Sequence, residues 1–357
     1  MRPLSSLVYG SQSIDLAHLP TAHGEAVFAG AYRTDVSDFV VTEDLGFEPA
    51  GTGPHLWALI RKRGLSTEEA TSRLAHISKT SRKDLGYAGK KDTHAVATQW
   101  ISLPETAVIE ESVIDESLEV LRLTRNQRKL KIGQLAGNRF EIRLRGSVIG
   151  DLEERIQLIA TEGIPNYFGL QRFGRSGSNL EAARRLARRD PAGRRRLHPK
   201  DGMAASAARS AGFNTIVAAR LLQDQWLEVT MGDAVALAGR GSHFMVSDSE
   251  LESVRERILT GDLDPTAPMA GRQTKTSIEQ AAFECSILKT DPELFAWMTG
   301  VFRDEERRAV RFMPKQLEAE LSEHTLELSF WLPKGSFATA LFNELGNLQE
   351  AHARAAP

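Results

Sequence analysis

Two stretches of strict apolar–polar alternation, far apart in the chain, most constrain the fold. Residues 140–144 and residues 325–330 each place every second side chain, all apolar, on one face, which is the period of a half-buried β-strand. A segment rich in arginine, with a helical pattern from residue 179 onward, lies between them. The pattern predicts one sheet that is split in sequence by a helical, basic segment.

Further elements are predicted before this split. Residues 38–43 and 56–60 have the composition of short strands, the second of them buried. Ser66 and Glu69 are spaced as a capping box, and apolar residues recur after them at helical spacing. Residues 151–161 predict another helix.

Residues 86–100 hold the clearest candidate for chemistry. Asp92 directly follows Lys90 and Lys91, and two glycines before them permit an unusual backbone path. An aspartate is ordinarily ionised at neutral pH, and the two lysines would favour that form if they lie close in space. The same residues are also typical of a solvated turn with a surface ion pair, so this segment alone leaves both interpretations open.

The composition excludes several classes of protein. A length of 357 residues favours two domains, and 41% hydrophobic and 26% charged residues are ordinary for a globular protein. The single cysteine, Cys285, excludes an intrachain disulfide framework, and zinc-ligand, phosphate-loop and dinucleotide-binding motifs are missing from the sequence. We expect no metal and no cofactor. Because the sequence shows neither a signal peptide nor a long apolar run, we expect a cytoplasmic protein outside membranes. We also expect a monomer.

Positive charge is concentrated in two segments. Residues 122–145 carry a local net charge of +7 and residues 172–200 one of +8, although the whole chain has a formal charge of −2. This segregation favours a polyanionic partner, most simply nucleic acid, and predicts salt-sensitive binding. A pair of solvated helix faces would give the same pattern, and the charges alone do not decide between the two.

Five short blocks of residues occur in a fixed order along the chain. With x for an unspecified residue, they are Ala88-Gly89-Lys90-Lys91-Asp92, Lys129-Leu130-x-x-Gly133, Gly137-Asn138-Arg139-Phe140, Asn166-Tyr167-Phe168-Gly169-x-Gln171-Arg172-Phe173-Gly174 and Trp331-Leu332-Pro333-x-Gly335-Ser336-Phe337-Ala338-Thr339. Together they resemble the TruD family of tRNA pseudouridine synthases. Each block alone is unspecific, whereas five in this order are specific, and they extend over nearly the whole chain.

The resemblance implies an α+β fold with a catalytic domain of the pseudouridine synthase type, whose mixed, mainly antiparallel sheet is flanked by helices. An α/β TRUD domain is inserted into it. We expect residues 1–163 and 312–357 to form the discontinuous catalytic domain and residues 164–311 the insertion. The implied reaction converts a uridine of tRNA, in the family the thirteenth nucleotide, to pseudouridine. The expected partner is therefore tRNA, with no obligate protein partner.

The resemblance also implies roles for individual residues. Asp92 is the implied catalytic carboxylate, and attack on the ribose C1′, addition to the uracil ring and abstraction of a ribose proton all stay open for it. A flipped base is usually held by an aromatic face and by hydrogen bonds to its edge. The implied contacts to the nucleotide are Phe39, Asn138 and Phe337, with Phe140 and Lys91 as further candidates.

Four arginines of the predicted insertion are candidates for contact with the RNA backbone. They lie in one helical segment and are Arg184, Arg185, Arg188 and Arg189. Recognition of RNA by shape needs positive charge along the phosphates and few contacts to base edges. A solvated helix face is the alternative interpretation.

Several positions depart from the family pattern. Arg33 stands where the family more often has lysine, and we expect both Arg33 and Glu43 at the surface. Thr93 replaces a residue that is commonly basic, Ala97 replaces a threonine, and Val36 replaces a proline. These differences concern the substrate contacts rather than Asp92.

Two other functions share part of this pattern. A non-catalytic RNA-binding protein on a synthase scaffold would keep the basic segments, so only an activity measurement separates it from an enzyme. A nucleoside or glycoside hydrolase would need a second catalytic acid and would act on substrates without a phosphate backbone.

Overall fold

Two compact units are interleaved along the chain in the structure, a computed structural model. It describes residues 6–9, 12–15, 18–109, 113–239, 242–271 and 278–351. Unit 1 comprises Met1–Glu25, Gln157–Met313 and Ser336–Glu344, and unit 2 comprises Ala26–Ile156, Pro314–Gly335 and Leu345–Pro357. The division into a catalytic domain of residues 1–163 and 312–357 and an inserted domain of residues 164–311 stays a prediction.

Strands occur in both units. In chain order they are β1 (Ser6–Tyr9), β2 (Gln12–Asp15), β3 (Phe28–Tyr32), β4 (Phe39–Asp44), β5 (His55–Arg63), β6 (Gly86–Tyr87), β7 (Val96–Leu103), β8 (Val113–Asp115), β9 (Leu118–Asn126), β10 (Gly137–Val148), β11 (Ile164–Pro165), β12 (Ala234–Leu237), β13 (His243–Met245), β14 (Leu263–Met269), β15 (Glu306–Ala309), β16 (Arg311–Phe312), β17 (Lys315–Ser322), β18 (Thr325–Pro333) and β19 (Gly346–Glu350).

The helices are α1 (Thr67–Ile77), α2 (Leu152–Glu162), α3 (Ser178–Arg189), α4 (Gly202–Leu222), α5 (Leu251–Leu259), α6 (Ile278–Leu288), α7 (Pro292–Val301) and α8 (Ala338–Leu345). Within the ranges that the structure describes, none of these helices is long and apolar enough to cross a membrane.

One large sheet forms the centre of unit 2. Its strands run in the order β17-β18-β10-β4-β7-β5-β9-β8, with β3 on β10, β19 on β3 and β6 on β7. The pairs are antiparallel except for β4 with β7 and β3 with β19. The predicted fold class, α+β with a mixed and mainly antiparallel sheet flanked by helices, is therefore confirmed.

The two alternating stretches of the sequence lie side by side in this sheet. β10 pairs with β18 in an antiparallel register that sets Phe140 against Phe330 and Leu144 against Leu326. All four side chains are buried. Because side chains alternate across a strand, this register puts both apolar rows on the same face, and β18 resumes the sheet as the sequence predicts.

The capping box that the sequence predicts starts α1. The Ser66 hydroxyl accepts a hydrogen bond from the Glu69 amide at 3.1 Å, and the Glu69 carboxylate accepts one from the Ser66 amide at 2.8 Å. The helix then buries Ala70 and Leu74 in the same core cluster as Ile60 of β5. This packing places the start of α1 beside the loop that carries Asp92.

Unit 1 combines helices with a small antiparallel sheet in the order β13-β12-β14-β15. Most of the residues of α4 are buried, and alanines at many positions let α3, α6 and α7 approach closely. The short strands β11 and β16 pair with each other, Ile164 opposite Phe312. The sequence predicts the helical segment from residue 179 onward, whereas α5, α6, α7 and the strands of the four-stranded sheet come from the structure.

Candidate active site

Asp92 lies in the connection between β6 and β7 of unit 2, and its side chain is 43% exposed. Hydrogen bonds hold the main chain of this connection on both sides of the aspartate. The Lys91 amide donates to the Thr67 hydroxyl at 2.9 Å, and the Asp92 carbonyl accepts from the Lys62 ammonium at 2.6 Å. The carboxylate thus projects from a fixed backbone and can still meet a ligand.

Arg33 is the cation at the Asp92 carboxylate. Its Nη2 lies 2.7 Å from Asp92 Oδ2, and the arginine side chain is only 5% exposed. Arg33 follows β3 and has a φ of 59°, in the left-handed region that residues other than glycine seldom adopt. Such a backbone conformation costs on the order of 1 kcal/mol, so the surrounding structure must compensate for it.

The Arg33 guanidinium is held from two further sides. Its Nη1 lies 2.5 Å from Glu350 Oε1 on β19, and its Cζ lies 4.3 Å from the centroid of the Phe39 ring. Burial is the main cause that raises the pKa of Tyr32 to about 12, and the negative charges of Glu350 and Asp92 raise it further. The phenol of Tyr32 therefore stays protonated at physiological pH beside this cluster.

A second ion pair, in which both partners are buried, involves the residue before Asp92. Lys91 Nζ is 3.0 Å from Glu43 Oε2 and donates to Asn138 Oδ1 at 2.6 Å. Glu43 on β4 and Asn138 on β10 are register partners, so their side chains flank the ammonium from adjacent strands. The Glu43 side chain is fully buried and also accepts a hydrogen bond from the Trp100 amide at 3.1 Å.

An aromatic row connects Phe39 to the sheet core. The Phe39 and Phe140 rings meet edge to face with centroids 6.0 Å apart, and Phe140 stacks on Phe330 at 5.3 Å. Phe39 and Phe140 are both buried. With the guanidinium of Arg33 over one face, the Phe39 ring is packed as part of the core and also lies next to the cation that holds Asp92.

The expectation that Arg33 and Glu43 lie at the surface is wrong. Both are buried because each has a carboxylate or ammonium partner inside the site, which offsets the loss of hydration. The two lysines before Asp92 have other partners: Lys90 Nζ lies 2.5 Å from Glu68 Oε1, and Lys91 binds Glu43. The cation at Asp92 therefore comes from a distant part of the chain.

Sequence reasoning missed three residues of this site, Lys62, Glu350 and Tyr32, and it named Arg33 but expected it at the surface. For Lys62 a signal was present, because alternation along β5 places it on the face of Ala58 and Ile60 rather than with its neighbours. The strand that carries Glu350 was not predicted, so its contact with Arg33 had no signal in the sequence.

Comparison with known proteins agrees with this architecture. A model of the family described as tRNA pseudouridine synthase D (TruD) matches residues 22–194 and 198–345. That match includes the Asp92 loop, Asn138 and the last block of the sequence.

The chain belongs to the TruD family of tRNA pseudouridine synthases.

The members of this family are isomerases, and their reaction is a modification of tRNA. The fold is also similar to a crystal structure assigned to tRNA pseudouridine synthase D (TruD) from Methanosarcina mazei, with 22% sequence identity and a TM-score of 0.69. The alignment covers 92% of this chain and 96% of that one. At this identity the similarity concerns the fold.

The structure brings most of the predicted site residues together in unit 2. Asp92, Phe39 and Phe140 are linked through Arg33 and the ring contacts, and Lys91 links the loop to Asn138. Phe337 belongs to unit 1, where its ring lies 5.9 Å from that of Phe168. The role of Phe337 in substrate binding stays a prediction.

The four arginines proposed for RNA contact differ in their environment on α3. Arg185, Arg188 and Arg189 are exposed, and their spacing of three and four residues puts them on one face of the helix. Arg184 is partly buried, with Nε 3.1 Å from Asp291 Oδ2 and Nη1 2.9 Å from Glu181 Oε1. Its charge is therefore balanced within unit 1.

Among the described residues, no group of three or more histidine, cysteine, aspartate or glutamate side chains has an arrangement that could hold a metal ion. Two other carboxylates of the site are each paired with a cation: Glu350 with Arg33 and Glu43 with Lys91. The arrangement supplies one accessible carboxylate, which is paired with a buried guanidinium.

Proposed function

We propose that this protein converts uridine 13 of tRNA to pseudouridine and that Asp92 is the nucleophile. One observation carries the proposal: a carboxylate that is open to ligands is paired at 2.7 Å with the buried guanidinium of Arg33. The ion pair holds the carboxylate in one position, and an aspartate carboxylate is a group that can act as a nucleophile in covalent catalysis. The position in tRNA follows the family resemblance.

The isomerisation moves the ribose from one ring atom of uracil to another. The bond between N1 and C1′ breaks, the uracil turns while it stays bound, and a bond between C5 and C1′ forms. C5 loses its proton and N1 gains one, so the atoms balance without an oxidant, a reductant or a group donor. Ordinary glycosidases use a pair of acids and transfer the sugar to water. Here the ribose returns to the same uracil, so a single carboxylate is compatible with the reaction.

The residues around Asp92 have suitable chemistry for holding a uracil. Asn138 uses its amide oxygen to accept from Lys91, so its amide nitrogen is the group left to donate to a carbonyl of the base. Phe39 and Phe140 form an aromatic pair that is linked to the carboxylate through the Arg33 guanidinium. We propose Phe337 as a further substrate contact on the family resemblance alone.

Positive charge on unit 1 suits the backbone of the tRNA. Arg185, Arg188 and Arg189 present three guanidinium groups on one exposed helix face. Such groups bind phosphates without reading sequence and make the affinity depend on salt. We do not count Arg184 among the phosphate contacts, because its guanidinium is already paired with two carboxylates.

The test is release of tritium from tRNA that carries uridine labelled at C5. Purified protein should release one tritium per modified tRNA, and mapping should place the pseudouridine at position 13. A tRNA with cytidine at position 13 is the control for position. Unchanged uridine and retained tritium would contradict the activity, and modification at another position would contradict only the assignment of uridine 13.

A further inference from the structure

A lysine lies at the main chain of the proposed nucleophile. Lys62 is completely buried, between the exposed Arg61 and Arg63 on β5. Its ammonium donates to the carbonyl oxygens of Leu65 and of Asp92, both at 2.6 Å. Lys62 therefore ties the Asp92 peptide to the end of β5, thirty residues earlier in the sequence.

Holding an ammonium in this place is energetically costly. Moving a charge out of water carries a large penalty, and carbonyl oxygens offset it less well than a carboxylate does. Methionine would fill a similar volume without that penalty. An apolar side chain is found two residues earlier on the same face of β5, where Ile60 is buried in the core. The ammonium supplies what an apolar side chain lacks, which is a donor that fixes two carbonyl groups.

The Asp92 carbonyl is the point at which such a donor has most effect. The Lys91 amide, in the peptide plane between residues 90 and 91, is bound to the Thr67 hydroxyl, and the ammonium of Lys62 fixes the plane between residues 92 and 93. Because the main chain is held on both sides of the intervening 91–92 peptide, the Cα of Asp92 is restricted, and this favours one direction of its carboxylate, toward Arg33. Small displacements of a reacting group lower rates strongly.

We propose that Lys62 is a positioning residue of this enzyme, whose buried ammonium holds the main-chain carbonyl of Asp92 and thereby aims the carboxylate at the target nucleotide. The inference rests on the proposed role of Asp92. It assigns to Lys62 no contact with the substrate.

The charge of Lys62 can be removed within an accessible pH range. Burial is the largest effect and lowers the pKa of Lys62 to about 8. The charged groups around it oppose one another, because Asp92, Glu69 and Glu68 favour the ammonium whereas Lys91 disfavours it. Above about pH 8 a neutral amine, a weaker donor without positive charge, would face the Asp92 carbonyl.

The experiment compares Lys62→Met and Lys62→Arg with the wild type, in single-turnover kinetics from pH 6 to 10. We expect Lys62→Met to lower the rate of pseudouridine formation about 10- to 100-fold, with tRNA affinity changed less than about twofold. The wild-type rate should fall as the pH rises through about 8, and Lys62→Arg should retain activity without this fall. Arg61→Met, on the exposed face of the same strand, is the matched control and should behave like wild type.

A second readout is independent of catalysis and of the folding of any variant. In wild-type protein labelled with ¹³C at aspartate carbonyls and ¹⁵N at lysine Nζ, the Asp92 carbonyl resonance should shift with the same midpoint as the Lys62 nitrogen. The proposal would be overturned if the Asp92 carbonyl resonance did not shift as Lys62 titrates. It would also be overturned if a folded Lys62→Met variant had the wild-type rate. If the wild type modified no tRNA, the proposed function would fail, while a shared midpoint would still support the positioning contact.

Discussion

Arg33 Nη2 lies 2.7 Å from Asp92 Oδ2, and the same guanidinium binds Glu350 Oε1 through Nη1 at 2.5 Å. One buried cation is thus shared between an exposed carboxylate and a carboxylate on the last strand. Because Glu350 also holds the guanidinium, Arg33 can stay in place when Asp92 engages a substrate.

Replacing Asp92 by asparagine should separate binding from chemistry. The amide keeps the shape of the side chain but is not a nucleophile, so we expect turnover to fall on the order of 10³-fold or more with unchanged tRNA affinity. Arg33 keeps Glu350 as its partner, so the fold should persist. Tritium release and filter binding on the same preparation measure both properties, and turnover by the variant would exclude Asp92 as the essential group.

Arg33→Met should weaken both the enzyme and the fold. Removing one partner of a buried ion pair typically costs 3–5 kcal/mol, and because Asp92 is 43% exposed we expect about 2 kcal/mol in urea unfolding. Loss of the cation at Asp92 should lower kcat about 100-fold. Arg63→Met removes an exposed arginine that pairs with Asp35, and as the control it should change little.

Lys91→Met should be destabilising because it leaves the buried Glu43 carboxylate without its ammonium. We expect a loss of about 3 kcal/mol in the free energy of unfolding. Adding Glu43→Gln should recover part of it, since the amide carries no charge. Lys90→Met, at the exposed pair with Glu68, should cost only about 0.5 kcal/mol. Equal effects of the two lysine variants would contradict the difference in burial.

The arginines of α3 should control the salt dependence of tRNA binding. We expect the triple change of Arg185, Arg188 and Arg189 to glutamine to weaken binding. It should also reduce the slope of log affinity against log salt by about one per lost phosphate contact. Arg184→Gln is the matched control, because Glu181 and Asp291 hold that side chain. A triple variant with the wild-type slope would remove this face of α3 from the RNA interface.

Lys62 should make the free energy of unfolding depend on pH. Its pKa is about 8 in the folded protein and about 10.4 in the unfolded chain, so between these values the unfolded chain binds more protons. The free energy of unfolding of the wild type should therefore rise with pH over this interval, relative to Lys62→Met. Urea titrations of both proteins at pH 7, 9 and 10.5 measure the difference, and parallel curves would show that Lys62 titrates normally.

Local features of the fold were predictable from the sequence. The alternation in residues 140–144 and 325–330 depends on one strand at a time, and the Ser66–Glu69 capping box on one turn of helix. The four-stranded sheet of unit 1 has shorter strands with less regular patterns, and its strand β14 even contains prolines. Whether such a segment forms a strand depends on its pairing with distant strands, so the strand cannot be predicted from the residues of the segment alone.

The candidate site divides in the same way. The sequence by itself determined that Asp92 sits in a loop between strands, that residues 140–144 form a strand and that the helical segment from residue 179 onward is rich in arginine. Only the tertiary structure decided that the cation at Asp92 is Arg33 rather than an adjacent lysine, and that Lys62 is buried between two exposed arginines. The physical reason is that charges pair through space. Strand register and the packing of α1 on β5, rather than separation along the chain, decide which ionic groups lose their water and meet.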